Sequence, residues 1–153
     1  MIGKIKDIVQ DFITVELTID IDKQPNLVNV HVVFEWDFKK VVGEITDINK
    51  KEAKVMLLGE IKDNKFLPGI DKKPSFKSVV RIVTVEELAL VLGSQEEKQD
   101  TMYFGKSSIY DNYKINVPFN TFFSHHFSIL GNTGSGKSFA TARLIQNIFE
   151  KSS

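Results

Sequence analysis

A glycine-rich segment near the end of the sequence has the residue types and spacing of a phosphate-binding loop. In the spacing G-x-x-x-x-G-K-S, the glycines let the backbone curl until successive N–H groups point at a phosphate. Lys137, the candidate catalytic residue, would place its ammonium against the β- and γ-phosphates, and the Ser138 hydroxyl would bind Mg²⁺ at a helix start that favours anions. The alternative from spacing alone is a glycine-rich turn that binds nothing. The candidate binding residues are Gly131, Asn132, Thr133, Gly134, Ser135, Gly136, Lys137, Ser138 and Phe139.

The segments on either side of this loop match the strand–loop–helix order that a phosphate loop requires. Residues 126–130 form a short strand-like apolar run, and residues 139–151 have helical periodicity. The apolar residues of the predicted helix lie mostly on one face. They are Ala140, Leu144, Ile145, Ile148 and Phe149.

Other residues that could carry chemistry give weaker signals. His125 and His126 are adjacent, and neighbouring side chains on a strand point to opposite faces, which makes joint metal ligation awkward. The pair is better interpreted as the edge of the strand. Glu86 and Glu87 fall in the first turn of a predicted helix, where carboxylates stabilise the helix dipole, so we interpret them as structural rather than as an acid pair.

The cations offer few further candidates. Lysines supply eighteen of the twenty cations, which leaves Arg81 and Arg143 as the possible bidentate phosphate clamps. Lysine pairs at 39–40, 50–51 and 72–73 fall in predicted turns. They are either solvated loop tips or a basic rim that faces DNA in a ring-shaped assembly.

Composition limits the class of protein. The 153 residues have zero formal net charge, so no overall basic field points to nucleic acid. Cysteine is absent from the sequence, which excludes a disulfide framework and a thiol nucleophile. No apolar run approaches the roughly 18 residues of a membrane span, and the first ten residues do not resemble a secretory signal. We therefore expect a cytoplasmic protein.

Hydrophobic periodicity predicts a mainly β protein, with a small N-terminal β-barrel and a closing helix. Thr84 and Glu87 have capping-box spacing at the start of that helix, and Gly93 occupies its C-terminal cap position. The predicted domains are a barrel at 1–93, a polar linker at 94–100, and the start of a second domain at 101–153, with short strands at 102–105 and 114–117 and a turn at 118–120. The barrel strands are predicted at residues 2–9, 12–21, 28–36, 41–48, 53–61 and 78–83.

The order of these segments resembles the HerA-type bacterial and archaeal DNA translocases along the whole chain. The segments similar to that family are residues 42–45, residues 83–88 with 92–93, and above all residues 126–138. The resemblance implies a barrel of the kind found in ATP synthase subunits, followed by the first β–P-loop–α unit of a RecA-like α/β ATPase domain. It also implies ATP and Mg²⁺ as cofactors, a hexameric homo-oligomeric ring, double-stranded DNA as a partner, and a nuclease or other effector protein in DNA repair or phage defence.

One departure from the family pattern limits the expected activity. Hydrolysis in this class needs an acidic residue at the end of a later strand, and usually an arginine from a neighbouring subunit, and neither can be located after Ser138. We therefore expect an N-terminal part of a longer ATPase, inactive by itself. The alternative is an oligomerisation and partner-docking barrel without activity of its own; a P-loop kinase or GTPase is disfavoured because such folds begin close to their P-loop.

Overall fold

The computed structural model describes the backbone of residues 1–152 and the side chains of residues 1–150. Ser153, the last residue of the predicted second domain, lies outside the described residues. The chain divides into two compact units, Met1–Val91 and Leu92–Ser153. The predicted assignment of residues 94–100 as a linker between functional domains stays a prediction.

The first unit is a closed antiparallel barrel, as the sequence predicts. Six strands form a ring in the order β1-β2-β5-β4-β3-β7, and the pairing of β2 with β5 and of β1 with β7 closes it. A seventh strand, β6, extends the sheet from β5 and was not predicted, because its four residues include Pro68 and lack clear alternation. A 3-10 helix, Ile21–Lys23, lies between β2 and β3. The strands are β1 (Gly3–Val9), β2 (Phe12–Leu17), β3 (His31–Trp36), β4 (Lys39–Ile48), β5 (Glu52–Lys62), β6 (Lys65–Pro68) and β7 (Val79–Ile82).

The barrel core follows from the alternation of apolar and polar residues. On β2, Ile13 and Val15 are fully buried, while Thr14 between them is only half-buried. Burying each such aliphatic side chain stabilises the fold by about 1.5–3 kcal/mol. On β3, both faces are covered, so that Val33 and Phe34 are both fully buried although they are neighbours in sequence.

The helix that follows the barrel begins and ends as its sequence predicts. Helix α1 spans Val85–Leu92. The Thr84 N–H donates to Glu87 Oε2 at 3.1 Å, and the Glu87 N–H donates to Thr84 Oγ1 at 3.3 Å, which is a capping box. Gly93 has a φ of 92°, the left-handed conformation of a helix C-terminal cap.

The second unit contains two paired strands and two helices in the described residues. Strand β8 (Thr101–Lys106) pairs antiparallel with β9 (Lys114–Pro118). The predicted turn at 118–120 is wrong, because helix α2 (Phe119–Ser124) begins there and packs Phe119 against Phe123 with ring centroids 5.0 Å apart. Helix α3 (Lys137–Ser152) completes the unit. None of the helices in residues 1–152 has both the length and the apolar character needed to cross a membrane.

Candidate phosphate-binding loop

The predicted phosphate loop, residues 131–138, leads directly into helix α3. Gly134 has a φ of 82° and Gly136 a φ of 84°, conformations that other L-residues rarely adopt. At Gly131 an added Cβ would lie 2.5 Å from Ser135 Oγ, a contact that rotation of the serine hydroxyl would relieve. The Ser135 N–H donates to the Asn132 carbonyl at 3.1 Å and tightens the bend. The local geometry therefore explains why glycine occupies positions 134 and 136.

Lys137 folds back over the loop from the first turn of α3. Its Nζ donates to the carbonyl oxygens of Gly131 and Asn132, each at 2.7 Å. These two bonds hold the ammonium against the beginning of the loop, on the same short segment whose glycines curl the backbone. A phosphate held by the loop N–H groups would lie within reach of this cation.

The start of α3 adds a second anion-favouring feature. The first N–H groups of a helix have no carbonyl partner within it, and here the series of helical bonds begins with the Ala140 N–H donating to the Gly136 carbonyl at 2.9 Å. Ser138 is exposed in this first turn. In the described part of the chain no three His, Asp or Glu side chains form a metal-binding group. A Mg²⁺ ion would fit here as it usually binds nucleotides, through one protein oxygen, phosphate oxygens and water, with Ser138 as the protein ligand.

The segment before the loop differs from the sequence prediction. Residues 126–130 belong to no strand in the described chain, so the predicted strand is wrong for this structure. A strand needs a neighbour to receive its backbone hydrogen bonds, and in the described residues β8 and β9 pair only with each other and leave residues 126–130 unpaired. His125 follows the last turn of α2, where its Nδ1 lies 2.8 Å from the Thr121 carbonyl oxygen. It lies at a helix end rather than at a strand edge.

An apolar cavity of about 560 Å³ lies between the segment before the loop and helix α3. Phe127 and Ile129 line one side, and Phe139 and Leu144 line another. Phe122 joins them, with its ring centroid 5.1 Å from that of Phe127. Arg143, the other arginine considered as a phosphate clamp, and Ser128 also line this cavity, so its lining is mainly but not wholly apolar.

Arg81, one of the two arginines considered as phosphate clamps, is instead part of an ion-pair cluster in the barrel unit. Its Nη1 and Nη2 donate to the two carboxylate oxygens of Glu87 at 2.7 Å each, and its Nε and Nη2 donate to Glu35 at 3.2 and 2.9 Å. The hydrogen bonds that Arg81 donates to Glu87 raise the pKa of Arg81, against the opposing effect of burial. The prediction that Arg81 could clamp a phosphate is therefore wrong, because its guanidinium N–H groups already donate to Glu87 and Glu35.

Glu87 has a larger structural role than the sequence indicates. Its side chain is only 7% exposed and also accepts a bond from Lys40 Nζ at 2.8 Å. The hydrogen bonds from Arg81, reinforced by Lys40 and the Thr84 N–H, hold the pKa of Glu87 at about 2. Capping-box spacing could identify the bond to Thr84, whereas no local signal could identify Lys40, which lies 47 positions away. Because its ammonium pairs with Glu87, Lys40 is not available for the basic rim predicted at the 39–40 turn.

Asn147 is a second residue that sequence reasoning missed. It lies on α3 on the buried side of the helix, and its Nδ2 donates to the Tyr103 carbonyl at 2.8 Å. This bond ties the helix that follows the loop to strand β8. The only sequence signal is a polar residue between apolar Ile145 and Ile148, and it is too weak to predict the contact.

The comparison with known families concerns this second unit. Residues 102–153 match the family model described as helicase HerA, central domain. The predicted resemblance to the HerA-type ATPases is confirmed over these residues. No curated protein matches the chain.

The HerA-type segment begins in β8 and contains β9, α2, the glycine-rich loop and α3. The barrel lies outside the matched residues. This match supports an ATPase or translocase-like function in general, and it places the glycine-rich loop inside the part of the chain where such an activity would reside.

Proposed function

We propose that the protein binds ATP and Mg²⁺ through residues 131–138 and belongs to an ATP-driven DNA translocase. The loop N–H groups and the α3 N-terminus bind phosphate oxygens, Lys137 neutralises the β- and γ-phosphates, and Ser138 binds the metal. Bound Mg²⁺ supplies charge neutralisation at the phosphates. The observation that carries the proposal is the position of the Lys137 ammonium, 2.7 Å from two carbonyl oxygens of the loop.

The wider role in this proposal rests on the HerA-type match rather than on the loop. A hexameric ring of such subunits would move double-stranded DNA as ATP is hydrolysed, together with a nuclease or other effector in DNA repair or phage defence. The barrel would contribute subunit packing and partner docking. A cytoplasmic location is part of the same proposal.

Residues 1–153 alone lack a suitable carboxylate for the hydrolytic step in their described part. After Ser138 the sole acidic residue described is Glu150, twelve positions along α3 and so about 18 Å along the helix axis. Its nearest ionic partner is Arg143 at 3.9 Å. We therefore propose that this chain binds nucleotide weakly and does not hydrolyse it.

A second candidate function is a barrel that assembles subunits or docks a partner without activity of its own. Closure of the barrel favours it, because all six strands of the ring are paired on both sides within residues 1–91. The second unit, in contrast, leaves an open apolar cavity. This candidate predicts self-association that does not depend on nucleotide.

Nucleotide binding distinguishes the two functions. The experiment titrates a fluorescent ATP analogue with Mg²⁺ against the wild-type chain, Lys137→Ala and the matched control Lys106→Ala, which removes one lysine at the end of β8 outside the loop. We expect Lys137→Ala to abolish binding and Lys106→Ala to retain it. Equal binding by Lys137→Ala and the wild type would exclude the loop as the nucleotide site.

A further inference from the structure

Residues 126–130, the segment before the phosphate loop, are exposed and have no strand partner in the described chain. Strands β8 and β9 pair only with each other there, and no backbone hydrogen bond joins this segment to another described residue. Phe127 and Ile129 alternate with His126 and Ser128, a pattern that suits a strand with one apolar face. The segment therefore presents the unpaired N–H and C=O groups of a strand edge, on which another chain can form a ladder.

The surface beside this edge is mainly apolar. Phe127 and Ile129 line the cavity of about 560 Å³ together with Phe104 and Phe139. These side chains are 51%, 39%, 46% and 78% exposed, in that order. A contiguous apolar surface of this kind is typical of a site of interaction with another molecule.

The area of this surface suits an interface of weak affinity between two protein chains. An aromatic side chain can bury about 150–250 Å², so the exposed parts of Phe104, Phe127 and Phe139 offer on the order of 350 Å². A standard protein interface buries about 800 Å² on each partner. The three rings therefore supply nearly half of that area, and Ile129 and the backbone of residues 126–130 add to it.

A second copy of the same chain matches both features of this surface. The occupant must offer a free strand edge with an apolar face beside it, and another copy carries the two in the same arrangement. With a twofold axis at Ser128, the two segments lie antiparallel, and each copy donates the same hydrogen bonds that it receives. Charge does not oppose the contact, because residues 92–153 carry six Lys and Arg against five Asp and Glu.

We propose that two copies of this chain form a dimer through their HerA-type segments. Residues 126–130 of the two copies pair as antiparallel strands, and Ile129 and Phe139 of each copy become buried against the other. This dimer goes beyond the proposed function, which assigns subunit packing to the barrel and concerns a hexameric ring. It does not require bound nucleotide.

Sedimentation equilibrium without nucleotide, from low to high micromolar protein concentration, tests the dimer with the wild type and Ile129→Lys. The wild type should show a monomer–dimer equilibrium. Ile129→Lys should raise the dimer dissociation constant at least about tenfold, because each dimer would then bury two unpaired charges. Phe139→Lys should weaken the dimer likewise, and it changes a side chain that is 78% exposed in the single chain, so it leaves the fold intact.

Val9→Lys is the matched control, because it places the same charge on an exposed apolar side chain of the barrel. It should associate like the wild type. Amide hydrogen exchange of the wild type should show protection of residues 126–130 that increases with protein concentration, which reports the strand pairing directly.

A wild type that stays monomeric at every concentration would overturn the proposal. Association that neither Ile129→Lys nor Phe139→Lys weakens, or that Val9→Lys weakens equally, would overturn it too and would favour a contact through the barrel. Hydrogen exchange in residues 126–130 that does not depend on concentration would exclude the strand pairing. Lys137→Ala should dimerise like the wild type, which separates this test from that of the phosphate loop.

Discussion

The barrel buries many of its large apolar residues, whereas the HerA-type segment leaves several of its own exposed. In the barrel, Val33 and Ile45 are 0% exposed, and every strand of the ring has a neighbour on each side. In the second unit, Leu130 is 87% and Phe139 78% exposed, and the loop is preceded by residues that pair with no described strand. A β-barrel completes its own hydrogen bonding, whereas a phosphate-loop segment acquires it from a larger sheet.

This difference shows that a binding loop can depend on neighbouring residues, whereas a packed core depends on residues far apart in the sequence. The bends at Gly134 and Gly136 and the bonds of Lys137 lie within seven consecutive residues, and they form without a surrounding sheet. The barrel instead requires pairings between residues far apart in sequence. We therefore expect changes in one unit to leave the other largely unaffected.

The largest expected effect is on catalysis. In the proposed longer ATPase, Lys137→Ala should abolish ATP hydrolysis, because the phosphates lose the cation that the loop holds over them. The fluorescence of Trp36, the one tryptophan of the chain, should report an unchanged denaturation midpoint for the barrel. ATP turnover by this variant at the wild-type rate would exclude residues 131–138 as the phosphate loop. A shifted midpoint would contradict the independence of the two units.

Side-chain truncation should affect the two units very differently. Ile45→Ala removes a fully buried side chain and should lower the free energy of unfolding by about 2–5 kcal/mol, as measured by denaturant titration of Trp36 fluorescence. Leu130→Ala removes a mostly exposed side chain of the second unit, whose unfolding is followed by the helical circular dichroism signal because Trp36 lies in the barrel, and it should change the free energy of unfolding by less than about 0.5 kcal/mol. A large cost for Leu130→Ala in the 153-residue chain would show that residues 126–130 are packed after all.

The ion-pair cluster should make barrel stability sensitive to acid. The pKa of Glu87 lies near 2 in the folded chain and near 4.5 when unperturbed. A lowered carboxyl pKa stabilises the folded state above the unperturbed value, and this stabilisation is lost as the pH falls from about 4.5 towards 2. Glu87→Gln should therefore cost on the order of 3 kcal/mol at neutral pH.

Unfolding titrations at a series of pH values, compared between the wild type and Glu87→Gln, measure this effect. The two curves should converge near pH 2. The matched control is Glu86→Gln, which changes the adjacent and more exposed carboxylate. A constant difference between the wild type and Glu87→Gln down to pH 2 would show that the charge of Glu87 is not what stabilises the barrel.

The smallest expected effect concerns His31. Burial lowers the pKa of His31 below its usual 6.5, against an opposing influence from Glu44. Because the folded state disfavours the protonated ring, barrel stability should be greatest above pH 6.5 and decrease as the pH falls below it. His31→Gln should flatten the stability profile between pH 7 and 5, and an unchanged slope in this variant would assign the decrease to other groups.

The sequence predicts features that arise from local residue patterns. It misses features that arise from contacts between residues far apart in the chain. Alternation identifies the six ring strands, capping-box spacing identifies the start of α1, and the glycine spacing identifies the loop bends. Helix α2 was missed because it has only six residues and follows Pro118, although Phe119, Phe122 and Phe123 have helical spacing and their rings pack against one another. The strand at 126–130 was predicted wrongly, since an apolar run specifies a β propensity but not the neighbour it needs.

The order of strands in the barrel also has a consequence for its synthesis on the ribosome. Strand β7 lies between β1 and β3, and the register that joins it to β1 is the pairing of Gly3 with Val80. The five other ring strands are complete at Lys62, twenty residues before β7 ends at Ile82. At about 5–20 residues per second, the nascent chain spends roughly 1–4 s with β1 and β3 as unpaired edges. During that interval these edges are open to pairing with other chains. Synthesis of β7 covers both edges and ends the period in which the nascent barrel is most prone to aggregate.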